Sequence, residues 1–376
     1  MSERSGPLVG LKVLEMGAIG PVPFCAMLLS DLGAEVLRID RKGARVSKHD
    51  VTFRGRRSVA MDLKGPMAAE ACLKLIERAD ALIEGFRPGV MERLGLGPEV
   101  ALARNPALVY GRMTGWGQTG AWAKAAGHDI NYIAVTGALH AIGTEERPVP
   151  PLNLIGDYGG GALYLAFGLL AALRHAHGTG QGQVIDCAMA DGAASLMAQI
   201  YGNVGAGTWR DERAVNIIDG GAPFYGAYRC KDGQWIALAA IEPPFYAALR
   251  EVAGLTDPAF DHQFDQVRGP ELKQKVGAVI ATKTRSEWEA AFEGSDACFA
   301  PVLGMTEAPS HPYNVERGTF VQVDGVVQPA PAPRFSVTPG QVQGPPSSAG
   351  EHNREALSDW GFEDAEIDRL KAEGVL

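Results

Sequence analysis

The chain has 376 residues, of which 46% are hydrophobic and 21% are charged, and its net charge is −9. This length exceeds one ordinary compact core, so the sequence predicts a folded protein of two domains. The negative balance argues against a nucleic-acid or anionic-membrane partner, although a local basic patch could still hold an anionic ligand.

Cysteine spacing and the length of apolar runs indicate in which cellular compartment the protein is expected. The five cysteines form no C-x-x-C pair, which argues against a zinc knuckle and against a disulfide framework. The first residues, 1–7, lack an apolar signal core. The longest apolar run, 163–173, is shorter than the ~20 residues that cross a bilayer. We therefore expect a cytoplasmic protein that does not enter a membrane.

Short apolar runs and helical patterns alternate in the first third of the chain. Strands are predicted at 11–16, 34–39, 58–62, 81–84 and 107–113, with helices at 24–32 and 67–78. A strand, a Gly-containing turn, a helix and a second strand form a βαβ unit. The pattern predicts an open, parallel, Rossmann-like α/β sheet covered by helices.

The turn after the first strand does not fit a dinucleotide site. Gly17 and Gly20 do not complete G-x-G-x-x-G, and prolines interrupt the turn. Asp40 lies where a ribose ligand would stand, but one acid alone is weak support for NAD. Basic residues are instead concentrated at 38–64 and 87–93, which suits a polyphosphate. The alternative is a solvated surface with ordinary ion pairs.

Two titratable side chains stand where apolar helical stretches begin. His128 lies in the stretch 127–132 (Gly-His-Asp-Ile-Asn-Tyr), and Asp157 precedes the glycines at 159–161. A helix N-terminus beside buried apolar surface can move a pKa toward a catalytic value. An imidazole and a carboxylate are a natural pair for moving protons. Either residue could instead be a helix cap, and His128 could also be a core residue.

The second half of the chain changes character near residue 201. We expect a large domain at 1–200, a linker at 201–221, a small α+β domain at 222–303, a second linker at 304–350, and C-terminal helices at 351–376 that return to the large domain. Within the small domain, 224–238 reads as a hairpin with Asp232-Gly233 as its turn. Helical patterns follow at 244–254, 270–283 and 285–293.

Several motifs together resemble a known family. They lie at 11–15, 31–36, 86–92, 127–132, 178–186, 219–225 and 241–243. These stretches are similar to the family III CoA-transferase (CaiB–BaiF) superfamily and, within it, to the α-methylacyl-CoA racemase branch. The resemblance covers nearly the whole chain. The motif at 127–132 is the most specific, because related transferases usually carry a residue other than His before that Asp.

The resemblance implies an assembly and a substrate class. It implies a large Rossmann-like domain, a small domain and long linkers, with two chains threaded into an interlocked homodimer. The active site would then lie between the large domain of one chain and the small domain of the other. The substrate would be an acyl-CoA thioester, and no metal or organic cofactor would be needed.

The resemblance also assigns site residues. His128 and Asp157 match the catalytic pair, and Glu242 matches a small-domain acid that hydrogen-bonds the His. The positions that match CoA-thioester contacts are Arg41, Met61, Asp62, Leu63, Lys64, Gly127, Asp129, Ile130, Asn131 and Tyr132, with Arg38, Arg87 and Arg93 as further candidates for the phosphates.

The implied reaction is racemisation at C2 of 2-methylacyl-CoA by two bases, His128 and Asp157, through an enolate. Backbone N–H groups near Asp157 and Gly159 would stabilise the enolate oxygen, although the glycines could instead serve close helix packing. One alternative is a CoA-transferase in which Asp157 attacks the thioester and forms an anhydride. Another is a CoA-binding protein without catalysis.

Overall fold

The computed structural model describes residues 4–376, and its contacts divide the chain into two compact units. The first unit contains the described residues up to Thr136, together with Leu152–Leu196 and Val315–Leu376. The second unit contains Gly137–Pro151 and Met197–Asn314. The first unit contains two hydrophobic cores, and the second unit contains one of its own.

A six-stranded parallel sheet forms the centre of the first unit. Its strands are β1 (Lys12–Met16), β2 (Glu35–Asp40), β3 (Arg57–Ala60), β4 (Ala81–Glu84), β5 (Val109–Thr114) and β6 (Gln183–Ala188). They lie in the order β3-β2-β1-β4-β5-β6, and every neighbouring pair is parallel. The predicted open parallel sheet is therefore confirmed. Its strand order reverses between β1 and β4, which is where such sheets bind ligands.

Two cores cover the two faces of this sheet because side chains alternate along each strand. Leu14 and Leu82 belong to one core, whereas their neighbours Val13 and Ile83 belong to the other. Burial on both faces is why β1 and β4 read as nearly continuous apolar runs in the sequence.

Helices flank the sheet and also occur in the second unit. They are α1 (Pro21–Asp31), α2 (Ala68–Ile76), α3 (Val90–Arg93), α4 (Pro98–Arg104), α5 (Asp129–Ala134), α6 (Ala138–Ala141), α7 (Tyr164–Thr179), α8 (Met189–Leu196), α9 (Ala198–Gly205), α10 (Pro243–Ala253), α11 (Gly269–Ile280), α12 (Arg285–Phe292), α13 (Pro312–Arg317), α14 (Asn353–Asp359) and α15 (Asp364–Ala372). Short 3₁₀ turns lie at Val51–Phe53, Pro258–Asp261 and Ala308–Ser310, and π-helical stretches lie at Leu154–Leu163 and Ile217–Gly221.

The π-helix Leu154–Leu163 runs directly into α7, so that one helix extends from Leu154 to Thr179. It spans 26 residues and is long and apolar enough to cross a membrane by length and composition alone. The sequence prediction missed this length because polar and glycine residues interrupt the apolar run. Core helices pass the same test, and this helix contributes Leu165 and Leu169 to the core of the first unit.

Glycines allow the π-helix to approach α8 closely. A Cβ on Gly192 would lie 1.9 Å from the carbonyl oxygen of Gly160, and a Cβ on Gly160 would lie 2.5 Å from the amide nitrogen of Ala193. No larger residue fits either position without a backbone shift. Close helix packing, the alternative explanation of the glycine run, is thus correct for Gly160.

The C-terminal helices pack on the same face of the sheet as Leu14, where α14 contributes Leu357, its C-cap residue is Trp360, and α15 contributes Ile367. The chain before and within α14 also covers the edge strand β3. The His352 N–H donates to the Ser58 carbonyl at 3.0 Å, and the Asn353 side chain accepts from the Ala60 N–H at 2.9 Å. This edge is therefore not left open to pairing with another strand.

The predicted linker at 304–350 is partly wrong, because it contains a hairpin. β10 (Phe320–Val323) and β11 (Val326–Pro329) pair antiparallel across an Asp324-Gly325 turn. Both turn residues have positive φ angles, 48° and 76°. An Asp-Gly pair between apolar residues favours this kind of turn. The signal was therefore present in the sequence.

The second unit contains a three-stranded antiparallel sheet in the order β7 (Tyr225–Arg229), β8 (Trp235–Ala239) and β9 (Phe299–Val302). The predicted hairpin at 224–238 is confirmed. The predicted linker at 201–221 is wrong in part, since α9 enters it and Ile217–Gly221 forms a π-helical turn. The Asp219 carboxylate closes this turn by accepting from the Asn216 N–H at 2.9 Å, and the Gly221 N–H donates to the Asn216 carbonyl at 3.0 Å. Hydrophobic periodicity does not reveal such contacts.

Candidate active site

One open cavity of about 520 Å³ lies at the carboxyl ends of the strands in the first unit. The loops that follow β1, β4 and β5 contribute to it, so it flanks the point where the strand order reverses. The residues that line it are Ile19, Gly20, Pro21, Val22, Gly85, Phe86, Arg87, Pro88, Met113, Thr114, Gly115, Trp116, Ala123, Ala125, Ala126, Gly127, His128, Asn131, Tyr132, Asp157 and Met189. The fold thus brings His128 and Asp157, 29 positions apart in the sequence, to one cavity.

His128 is the N-cap residue of α5, and its side chain is exposed at the cavity. The side-chain oxygen of Asn131 accepts a hydrogen bond from the His128 N–H at 3.0 Å. The Tyr132 hydroxyl donates to the carbonyl of Gly127. A Cβ on Gly127 would lie 2.8 Å from the Tyr132 ring, so glycine is needed there. The motif at 127–132 therefore fixes the backbone on both sides of the imidazole.

Asp157 lies in the first turn of the π-helix and is half-buried. Gly20, the N-cap of α1, approaches it so closely that a Cβ there would lie 3.4 Å from Oδ2. Burial, and then the negative charge of Asp129, raise the pKa of Asp157 against the lowering effects of Asn153 and His128. A raised pKa favours the protonated carboxyl, which is the form that donates a proton.

Asp129 is buried behind this pair, with 8% of its surface exposed. Its Oδ2 accepts a hydrogen bond from the Asp157 N–H at 2.7 Å. Its Oδ1 is buried and has no hydrogen-bond partner among residues 4–376. The sequence prediction placed Asp129 among the CoA contacts, but its carboxylate instead joins α5 to the π-helix.

A buried ion pair holds the loop after β4, which the sequence reasoning did not identify. Glu84 is fully buried, and its Oε2 accepts from the Phe86 N–H at 2.7 Å. Arg112 donates from Nε to Glu84 Oε1 at 2.9 Å and from Nη1 to Glu92 Oε1 at 2.8 Å. These contacts fix the backbone that presents Arg87 to the cavity.

Seven of the thirteen predicted CoA contacts follow β2, β3 or β4 in the chain, and one of these, Arg93, is the last residue of α3. The exposed charged side chains in this set are Arg41, Asp62, Lys64, Arg87 and Arg93. Met61 is buried and Leu63 is half-buried, so both pack against the core. Ile130 exposes 42% of its surface on α5.

The prediction of Arg38 as a phosphate contact is not supported by its position. Arg38 is fully buried in β2, and its Nε pairs with Asp40 Oδ2 at 2.7 Å. Its Nη2 donates to the Ser347 carbonyl at 3.0 Å, and its guanidinium lies over the Phe53 ring. The side chain is thus enclosed by protein. The same pair occupies Asp40, the acid that a ribose ligand would have required.

The structure also argues against Gly159 as an enolate donor. The helix begins at Leu154, so Gly159 lies inside it rather than at its start, and it does not line the cavity. The neighbouring Tyr158 N–H already donates to the Asn153 carbonyl at 3.2 Å. The Asp157 N–H is likewise engaged by Asp129.

Glu242 belongs to the second unit, where it is exposed at the N-cap of α10. Its predicted hydrogen bond to the catalytic His stays a prediction. Within the described residues, no group of three or more His, Cys, Asp or Glu side chains is arranged to hold a metal ion. The expectation of a reaction without metal or organic cofactor also stays a prediction.

Comparisons with known proteins agree on one family. The model of CoA-transferase family III matches residues 8–353. The α-methylacyl-CoA racemases of mouse and human are each 43% identical to this chain over 98% of it and 97% of their own length. The crystal structure of a CaiB/BaiF family protein from Brucella suis superimposes with a TM-score of 0.80 at 25% identity, covering 95% of this chain and 100% of that one.

Proposed function

The chain belongs to CoA-transferase family III, and we propose that within this family it is a racemase that inverts C2 of 2-methylacyl-CoA thioesters. One observation carries the proposal: an imidazole and a carboxyl group, those of His128 and Asp157, line the same cavity. The names of the mouse and human relatives support this assignment.

Inversion of a carbon requires proton transfer on two opposite faces, which one base cannot easily serve. In one direction His128 takes the C2 proton, the C–H electron pair moves to the thioester oxygen to form an enolate, and protonated Asp157 delivers its proton to the other face. In the reverse direction the two residues exchange roles. Acid–base groups placed in this way contribute about 10²–10⁴-fold each.

The enolate oxygen needs hydrogen-bond donors that are in place before the reaction. First-turn N–H groups of a helix have no acceptor within the helix. At the start of α5, the Asn131 N–H donates to the His128 carbonyl at 2.8 Å, which leaves the N–H groups of Asp129 and Ile130 beside the imidazole. We assign the enolate to this position instead of Gly159. The loss of one such donor typically costs about 2.7–4 kcal/mol.

The anionic part of CoA fits the exposed basic residues at this edge of the sheet. Arg87 lines the cavity, Arg41 and Lys64 are exposed after β2 and β3, and Arg93 is exposed at the end of α3. Arg contacts phosphate through two parallel hydrogen bonds, and Lys acts as a point charge. The basic cluster thus offers anchors for the phosphates while the thioester reaches His128.

We further propose that two chains form a homodimer. The continuous helix Leu154–Thr179 exposes Leu163, Phe167 and Leu170 at 51%, 74% and 39% of their surface. Their i, i+4, i+7 spacing places them on one helix face. We assign this apolar face to the partner chain and not to a membrane, and we propose that Glu242 of the partner chain completes the site. The enzyme would act in the cytoplasm without a dissociable cofactor.

The second candidate function is CoA transfer, which the family name itself favours. Asp157 would then attack the thioester as a nucleophile and form an acyl-enzyme anhydride. Such a reaction gives His128 no evident part. A raised pKa of Asp157 also keeps more of it protonated, which suits an acid more than a nucleophile.

Deuterium incorporation at C2 tests the proposal directly. Each enantiomer of a 2-methylacyl-CoA is incubated with the protein in D₂O, without any acceptor acid, and C2 is followed by NMR and chiral analysis. We expect each enantiomer to gain deuterium and to give the racemate. The matched control is Glu99→Gln, since Glu99 is an exposed acid in the first turn of α4, and it should behave as the wild type.

Variants of the two bases should fail in complementary ways. His128→Ala and Asp157→Asn should each lower racemisation by about 10²–10⁴-fold. Each should still exchange the C2 proton of one enantiomer with retention, and the enantiomer should differ between the two. Transfer of CoA to an added acid, abolished by Asp157→Asn but not by His128→Ala, would establish the transferase. Absence of both reactions, with CoA still bound, would leave a non-catalytic CoA-binding protein.

A further inference from the structure

We propose that Asp129 is a positioning residue for the acid–base pair: its buried carboxylate fixes the first turn of the helix that carries Asp157 and holds a negative charge beside the Asp157 carboxyl. The inference rests on the proposed racemase function and deepens it. It also gives Asp129 a role other than the CoA contact that the sequence predicted.

The contact joins two elements that would otherwise present their catalytic residues separately. Asp129 follows His128 directly, as the first residue of α5. Its Oδ2 accepts the Asp157 N–H at 2.7 Å, one of the first-turn amides of the π-helix that no carbonyl of the helix satisfies. One side chain thus ties the backbone of Asp157 to the residue after His128, so the spacing of the two bases depends on it.

Gly156 shows how closely the two elements meet. A Cβ at this position would lie 2.6 Å from Asp129 Oδ2 and 2.8 Å from its Cγ. Only glycine therefore lets the carboxylate reach the Asp157 amide. This close approach of Asp129 to Gly156 leaves no space for another side chain behind Asp157. The charge of Asp129 is therefore held close to the Asp157 carboxyl.

The second carboxylate oxygen of Asp129 indicates that the charge of this residue matters as well as its hydrogen bond. Oδ1 is buried without a hydrogen-bond partner among the described residues, and a cap needs only one of the two oxygens. A buried polar atom without a partner is rare and calls for a reason. Here the reason is the charge itself, because a neighbouring like charge favours the protonated form of Asp157.

The other charged groups around Asp157 do not replace this effect. His128 acts on it in the opposite sense. Tyr132 lies on α5, and Arg87 on the loop after β4 is the cation near that tyrosine. The first turn of α1 carries no acidic residue, and the acid of α8, Asp191, is exposed.

The test is Asp129→Asn, which keeps an oxygen for the Asp157 amide and removes the charge. The acid limb of the pH profile of kcat/KM reports the free enzyme, and it should move to lower pH by about one unit. At neutral pH kcat/KM should fall roughly tenfold, by the same factor in both directions, because the two C2 epimers have nearly equal energy. Glu99→Gln should leave the profile unchanged.

A second readout does not depend on activity. The ¹³C resonance of the Asp157 carboxyl, assigned with Asp157→Asn, is titrated in the free wild-type and Asp129→Asn proteins, and its midpoint should fall in the variant. Gly156→Ala, which displaces the carboxylate without removing it, should also lower kcat/KM. An unmoved acid limb with an unmoved ¹³C midpoint would overturn the proposal. Failure of the wild type to exchange deuterium would instead refute the racemase function and leave the titration informative.

Discussion

In the proposed reaction Asp157 meets two opposing requirements, because it would have to ionise to act as a base while its half-buried position resists ionisation. Burial, followed by the charge of Asp129, raises its pKa in the folded chain. A carboxyl of this kind favours the folded state while it is protonated, and that contribution is lost as the pH rises through the folded-state pKa. At neutral pH the ionised Asp157 therefore lowers the stability of the enzyme.

Asp157→Asn should consequently raise the melting temperature while lowering racemisation by about 10²–10⁴-fold. We expect a rise of about 1–3 °C at neutral pH. The gain should shrink at an acidic pH of about 4, where the raised pKa leaves a larger fraction of the wild-type carboxyl protonated than at neutral pH. Thermal unfolding followed by circular dichroism at both pH values measures this difference. An equal gain at both values, or a loss at neutral pH, would contradict the link between the raised pKa and stability.

The residues of the site were predictable where a local motif marked them. His128 and Asp157 each begin an apolar helical stretch, and the structure places both in one cavity. The prediction that Arg38 contacts a phosphate failed because the sequence does not show whether a basic residue faces solvent or is buried against an acid such as Asp40. The contact of Asp129 with Asp157 joins two elements 28 residues apart, and no sequence pattern reports such a meeting.

The π-helix is the element that positions Asp157, and its packing against α8 depends on glycine. A Cβ on Gly192 would lie 1.9 Å from the Gly160 carbonyl oxygen, so Gly192→Ala must push the two helices apart. We expect a loss of about 1–3 kcal/mol in the free energy of unfolding. A displacement of about 1 Å at Asp157 would lower kcat/KM by about 10²-fold. Urea denaturation and the racemisation assay measure the two effects.

Gly202→Ala is the matched control for this packing. Gly202 also lies within a helix, α9, and a Cβ placed there would meet no described atom within 4 Å apart from the adjacent backbone of its own helix. Alanine is the better helix former by about 1 kcal/mol, so this variant should be neutral or slightly more stable. If the two alanines destabilised the protein equally, the loss at Gly192 would not come from its contact with Gly160.

At the scale of elements, the sequence predicted what periodicity encodes. The strands of the parallel sheet follow from short apolar runs that alternate with helical patterns, and the hairpin at 224–238 follows from its turn residues. The structure confirms both. The π-helical start of the long helix was not predicted, since it depends on contacts with α8 and Asp129. The β10–β11 hairpin was missed because the surrounding Pro, Gly and Ser outweighed the Asp324-Gly325 turn.

The whole molecule raises the question of what covers the apolar face of α7, where Phe167 leaves 74% of its surface exposed. In a monomer this apolar surface stays exposed to water, whereas a symmetric dimer would bury it on both chains. Contacts between chains leave no pattern within one sequence. The dimer was therefore expected from family resemblance and not from composition or periodicity.

Complementation between inactive variants tests whether the two chains share their active sites. His128→Ala and Glu242→Ala chains, carrying different tags, are co-expressed, and the species with both tags is purified after its mass confirms a dimer. If His128 works with Glu242 of the partner chain, one site of the mixed dimer carries both substitutions and the other carries neither. The mixed dimer should then recover about half of the wild-type activity, while each homodimer stays inactive. A mixed dimer without activity would place both residues of each site in one chain, because every site would then carry one substitution.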